Sequence, residues 1–298
     1  MRTLYSPPPD RGARSRHGFG TVGWIGVAIL GLFAAVALAG AWIAPYGGME
    51  LAAPTLEAPS LHHLLGTNQI GQDLLSQLLI GARVSLLVAL LAGSGSVLIG
   101  ATVGIVAGFA GRWIDMVLMR LTDVFLAIPK TPLLILVAAY AGRSLTTLSL
   151  VIASLFWAGT ARIMRAQVRT LRHRSHIRAS IGFGAVSGHV LRRHVAPELA
   201  PLLAASFVAA AGRAVLLQAG LAFVGISDPS RLSWGTIMAG AFNAGGIFYT
   251  RVWMWWLLPP VLATVLVLVG MTFLGVGLEQ RFNPRLVRRP GAVPLRSV

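Results

Sequence analysis

Lys130 is the only lysine in the chain, and it follows Pro129 inside an apolar stretch. A phosphate-binding loop needs a glycine before its lysine and a hydroxyl residue after it, so this lysine does not belong to one and the chain is not itself an ATPase. There is no cysteine to act as a nucleophile or thiolate ligand. His-Glu-x-x-His and Gly-x-Ser-x-Gly are also missing, which removes the usual zinc-hydrolase and serine-hydrolase readings. His62 and His63 are adjacent and external, a poor spacing for one metal site, and are read as loop residues. What stands out chemically is a pair of cations, Lys130 and Arg213, inside otherwise apolar runs. A charge at the centre of a bilayer costs roughly 2.5–3.5 kcal/mol on insertion scales, so both are candidates for lining a polar pathway. Lys130 also lies seven residues from Asp123, about two helical turns, which puts the two on one face of an uninterrupted helix.

The elements that would position these residues are membrane helices. The 298 residues are 55% hydrophobic and 11% charged, far below the roughly 25% charged content of soluble domains. Six apolar runs reach the roughly 20 residues needed to cross a hydrocarbon core: Val22 to Ala44, Val84 to Phe109, Thr122 to Tyr140, Leu145 to Ala161, Leu199 to Phe223 and Val252 to Gly275. The first is too long for a signal peptide and reads as a retained helix. With these spans, 19 of the 25 basic residues fall on one side, while Arg83, Arg143, Arg231 and Arg251 fall on the other. The positive-inside bias then puts both termini in the cytoplasm. This one-sided placement accounts for the net charge of +16 without nucleic acid as a partner; membrane lipid is the expected one. Residues 1–21 and 281–298 read as cytoplasmic tails, the first disordered and the second basic, around a domain over 22–280. Its external segments are 45–82 and 224–251, and its longest cytoplasmic loop is 162–197.

Ser96, Gly100, Gly104 and Gly108 recur every four residues in the second run, a stripe that lets helix backbones approach closely. Pro129, Pro132, Pro259 and Pro260 break or kink helices. Trp42, Tyr46, Trp253, Trp255 and Trp256 are placed as interfacial anchors at external helix ends. In the loop over 162–197, Ile177, Ile181 and the Phe183-Gly184 pair predict a short amphipathic helix on the membrane surface, with a second starting near Ser187 and running toward Pro197.

That loop resembles the coupling loop of the permease subunits of dipeptide, oligopeptide and nickel ABC importers. The family's Glu-Ala-Ala, its glycine four residues on and its hydrophobic-x-Pro ending are matched by Ala179, Ser180, Gly184 and Val195-Ala196-Pro197. The run from His63-Leu64-Leu65-Gly66-Thr67 through Gly71-Gln72-Asp73 to Gly81-Ala82-Arg83-Val84-Ser85-Leu86 is similar to a second family pattern. Further matches are Met119 to Val124, Ile128-Pro129, Ser233-Trp234-Gly235, Gly275-x-Gly277-Leu278 and Asn283-Pro284-Arg285. Departures from the family are Arg178 for the signature glutamate, Gln72 for arginine, Gln218 for a glutamate and Val276 for an aspartate.

The resemblance implies an all-α membrane protein of about six transmembrane helices, with the type I ABC importer permease fold, in the bacterial cytoplasmic (inner) membrane. It implies a second homologous permease subunit, two ATPase subunits that hold ATP and magnesium, and an extracytoplasmic substrate-binding protein. No cofactor is assigned to this chain. The ATPase-coupling residues are expected to be Arg178, Ala179, Ser180, Ile181, Phe183, Gly184 and Ala185. Lys130, Arg213 and Gln218 are candidate pathway residues. Gly66, Thr67, Gly71, Asp73, Ser233, Trp234 and Gly235 are candidate contacts for the binding protein. Cargo is expected to be short peptides or a related small solute such as a nickel chelate. An ion-gradient-driven secondary transporter is the alternative; it relies on ionisable or broken-helix sites near the midplane, and no acid lies at the centre of any of the six runs.

Overall fold

A computed structural model describes residues 19–142, 144–183, 187–226, 228 and 230–282. Most of both tails, Arg143, Gly184, Ala185 and the Asn283-Pro284-Arg285 motif lie outside the described residues. Among the described residues the fold is helical, with one isolated bridge between Thr67 and Asp73 and no strand. The elements are α1 (Thr21–Ile43), α2 (Leu74–Phe109), α3 (Arg112–Ala127), α4 (Lys130–Ala141), α5 (Leu145–Arg172), α6 (Ser175–Gly182), α7 (Ser187–Val190), α8 (Ala196–Phe223), α9 (Trp234–Asn243), α10 (Val252–Trp256) and α11 (Leu258–Phe282). Five helical stretches are long and apolar enough to cross a membrane, and α3 with α4 makes a sixth if the bent pair counts as one span.

Helix α2 is the central post. Its 36 residues span about 54 Å at 1.5 Å per residue, well beyond a hydrocarbon core of about 30 Å. It starts ten residues earlier than the apolar run suggests, because the Asp73 carboxylate accepts the Ser76 amide at 2.8 Å and caps the helix. The glycine stripe faces α5. A β-carbon on Gly100 would stand 2.5 Å from the Trp157 carbonyl oxygen, and one on Gly104 would stand 2.4 Å from that of Ala161. Gly93 makes the same close approach to Ala211 of α8. On the other flank α1 meets α11 through Gly23 against Gly277 and Gly26 against Gly270 and Leu274.

Prolines act unequally. Pro129 separates α3 from α4, and the two helices meet at 87°, so the expected span from Thr122 to Tyr140 is not one straight helix. Because the helix ends at Ala127, Asp123 and Lys130 do not share a face; Asp123 pairs instead with Arg162 of α5 at 2.6 Å. Pro259 and Pro260 leave only a local turn at Leu257, since the Leu257 and Val261 amides still bond the Trp253 and Leu257 carbonyls. Nor does Pro197 end a helix. A π-turn over Leu191–Val195 joins α7 to α8, with the Ala196 amide donating to the Leu191 carbonyl, and a proline in a first turn has no amide to lose. Trp42 is exposed as an anchor should be, but Trp256 is buried in the cluster with Trp234, Ile237 and Val252.

The stripe yields a test. Gly104→Val should destabilise the protein by about 1–3 kcal/mol through overpacking, read as a lower thermal midpoint in detergent. Gly159→Ala, with nothing within 4 Å of the new β-carbon, should leave that midpoint unchanged.

Candidate functional site

At the C-terminal end of α2 the chain builds a platform. Helix α5 runs on to Arg172, and α6 follows after a two-residue turn in which the Arg174 amide bonds the Leu171 carbonyl. Ile177 is fully buried and packs with Met164, Val168 and Leu171 of α5, Val190, Val195 and Leu199. An ion pair between Arg174 and Glu198 ties the turn to α8. With Ile177 as the anchor, the other side of the segment faces out: Arg178 and Ala179 are exposed, Ser180 is half-buried and Phe183 is 91% exposed. Ile181 lies within α6. Phe183 is thus a large apolar ring exposed on a segment whose other side is locked into the core.

The opposite end of α2 carries a folded cap. The Asp73 carboxylate accepts the Ser76 hydroxyl at 2.7 Å, and its other oxygen lies 3.0 Å from His63 Nδ1. The Tyr46 ring stacks on His63 with centroids 4.8 Å apart, and the Tyr46 amide donates to Ser76 Oγ. Asn68 Oδ1 accepts the Ile70 and Gln72 amides, while the Thr67 hydroxyl donates to the Pro54 carbonyl and accepts the Glu57 amide. Gly66 and Gly71 sit at φ +67° and +81°, where a β-carbon would also strike the Glu57 and Ala53 carbonyls.

Ser233-Trp234-Gly235 is a second clamp at this end. Ser233 caps α9 in a reciprocal pair with Thr236. The Trp234 indole donates to the Leu78 carbonyl at 3.1 Å, and its amide donates to Ser85 Oγ at 3.2 Å. Gly235 lets α9 rest on Ala219 and Ala222 of α8. In the loop before α9, the hydroxyl and amide of Ser230, with Arg231 beside them, hold the Asp228 carboxyl below the usual carboxylate range.

These clamps correct one expectation. Gly66, Thr67, Gly71, Asp73, Ser233, Trp234 and Gly235 are all buried, so none of them presents a surface to a binding protein; they fold the surface that could. Exposed apolar residues there include Leu61, Leu64 and Ile70. Sequence reasoning missed Tyr46, Ser76 and Ser85 as the inner partners. An aspartate just before a long apolar run is the helix-start signal that could have found Ser76.

The three interior polar candidates do not form one cluster. Lys130 is half-buried at the start of α4 with its ammonium 5.2 Å from the centre of the Phe156 ring, and Arg213 is near enough for the two charges to repel. Arg213 itself is exposed on α8 beside a groove shared with Met271, Thr272 and Glu279 of α11. Gln218 is buried and donates to Ser233 Oγ at 3.0 Å. Its carbonyl oxygen has no hydrogen-bond partner and borders a small cavity with Asp228 and Arg231.

Residues 100–288 match the family described as binding-protein-dependent transport system inner membrane component. A Brucella suis protein provisionally named a peptide permease is 35% identical over 229 residues, covering 76% of this chain and 75% of the relative. The chain belongs to this permease family. The dipeptide transport system permease protein DppC of Alkalihalophilus pseudofirmus is 31% identical over 233 residues, covering 78% of this chain and 75% of its own. A second B. suis relative, provisionally named a peptide transport system permease, is 35% identical over 233 residues, at 77% and 76% coverage. The permease is thus a multi-pass membrane component of a transport system, and its family is not a catalytic one.

The permease's cap can be tested through its central acid. Asp73→Ala removes the helix cap, worth about 1 kcal/mol, and strands the His63 ring nitrogen, at about 1–3 kcal/mol. The expected result is a lower thermal midpoint with new protease cleavage within residues 46–73, whereas His62→Ala, at an exposed position, should match the wild type.

Proposed function

We propose that this permease is one of two related membrane subunits of an ATP-driven importer of short peptides in the bacterial inner membrane. Cargo would arrive from an extracytoplasmic binding protein, and separate ATPase subunits would bind ATP and magnesium. The observation that carries the reading is the outward face of α6 with Phe183: exposed, partly apolar and rigidly backed by Ile177. A surface of that kind transmits force, because motion of an attached partner is delivered to the ends of α5 and α8 rather than absorbed in a loop. The names of the relatives favour peptide over nickel-chelate cargo.

In this reading both termini and α6 face the cytoplasm, and the cap over residues 44–73 faces outward, as the arginine distribution requires. Arg178, Ala179, Ser180, Ile181 and Phe183 form the described part of the ATPase contact, with Gly184 and Ala185 continuing it. Because Arg178 stands where the family pattern has an acid, the apolar members supply most of the attachment. Lys130 and Arg213 line the pathway from α4 and α8, and Gln218 borders it nearer the cap through its unpartnered carbonyl. The binding protein meets the exposed rim at Leu61, Leu64 and Ile70.

The test is co-purification with the cognate ATPase subunits in detergent. Ala179→Asp and Phe183→Ser change exposed side chains, so the helical content should be unchanged while the retained ATPase falls by on the order of tenfold or more. Full retention of the ATPase by both variants would remove α6 from the contact. Failure of any ATPase to accompany the wild-type chain would overturn the importer reading itself.

A further inference from the structure

Between the ends of α2 and α5, the start of α3 and the Arg178 and Gly182 side of α6 lies a cleft of about 650 Å³, within the range of roughly 300–1,000 Å³ typical of small-molecule sites. Arg112, Arg169, Arg172, Arg178 and His173 line it, and Asp115 is its one acid. That acid is already engaged: Arg165 donates to both of its oxygens, and Arg169 stands 3.9 Å away. Arg172 donates to the Gly108 and Phe109 carbonyls at 3.3 and 3.0 Å with its guanidinium over the Phe109 ring, so it is fixed in place while its charge meets no carboxylate among the described residues. Among the described residues no carboxylate pairs with Arg112 or Arg178. Positive charge of this density, held on three converging elements, is arranged for an anion.

The mouth of the cleft says which anion. Beyond Arg112 and Asp115, α3 exposes a run of large apolar side chains, Trp113, Ile114, Met116 and Val117 in its first two turns, then Leu121 and Val124, interrupted by the exposed Arg120 and Asp123. Arginines beside an exposed apolar helix face suit a molecule with a phosphate at one end and hydrocarbon at the other, and basic pockets at helix ends on the cytoplasmic side hold lipid headgroups. Guanidinium groups also match phosphate oxygens with paired donors. We propose that this cleft binds the phosphate of an anionic phospholipid headgroup, with the acyl chains lying along α3. Since the cleft touches both α3 and α6, an occupied headgroup would brace the platform against α2. The proposal rests on this geometry and on the cytoplasmic placement of the platform proposed above, and it shares Arg178 with the proposed ATPase contact.

Native mass spectrometry of the purified full chain, with and without its ATPase subunits, tests it against phosphatidylglycerol and phosphatidylcholine of matched chains. Wild type should prefer phosphatidylglycerol. Arg112→Gln with Arg178→Gln should lower that preference about twenty-fivefold, at about fivefold per arginine near a membrane surface, while Arg83→Gln with Arg251→Gln should keep it. Displacement of the lipid by excess inorganic phosphate would keep the phosphate site and reassign its ligand to a soluble phosphate. Equal phosphatidylglycerol binding by wild type and the Arg112/Arg178 variant would overturn the site. So would a preference seen only when the ATPase subunits are removed, because the cleft would then belong to their docking surface.

Discussion

Gly100, Gly104 and Gly108 offer α5 no side chain, and backbones that close can only be held by dispersion across the whole contact. In lipid there is no hydrophobic drive to press two apolar helices together, so this fit does the work that burial does in water. The long α2 post can then serve as a common wall: α5 on the glycine stripe, α8 against Gly93, and α9 bolted on by Trp234 to Leu78 and Ser85. Loss of the stripe would loosen both ends of the molecule at once, because the platform hangs from α5 and the cap grows from α2.

The two ends of α2 are built on opposite chemical plans. At its start, neutral and acidic groups close on one another: Asp73, His63, Ser76 and Tyr46 satisfy each other inside the cap. At its other end arginines outnumber acids, and among the described residues Asp115, Asp123 and Glu198 pair with them. In the proposed orientation this asymmetry follows the positive-inside bias, with uncompensated positive charge on the anionic, cytoplasmic face. It also separates the proposed tasks. The polar groups of the cap are paired with one another, whereas the platform leaves arginines and Phe183 exposed, as the proposed partner contacts require.

The spans were legible because apolar length is the strongest signal a membrane sequence carries, and the glycine stripe because its period is that of a helix face. Three features were not. Asp73 looked like a loop residue, so the start of α2 was placed ten residues late. Lys130 and Asp123 were paired by helical period, an argument that fails when Pro129 turns the chain by 87° between them. The polar motif residues from Gly66 to Asp73 and from Ser233 to Gly235 read as surface, when their polarity instead serves buried hydrogen bonds that fold the surface. Period and polarity report local tendency; which side of a residue meets solvent is decided by elements far away in sequence, here α2, α8 and α9.

The central claim is that the cap and the platform sit on opposite sides of the membrane with the platform inside. The chain has no cysteine, so single substitutions report without background. With a membrane-impermeant maleimide on intact cells, Leu61→Cys should label at once, and Phe183→Cys should label only after permeabilisation. Labelling of Phe183→Cys in intact cells with Leu61→Cys protected, or labelling of both from one side, would contradict the account.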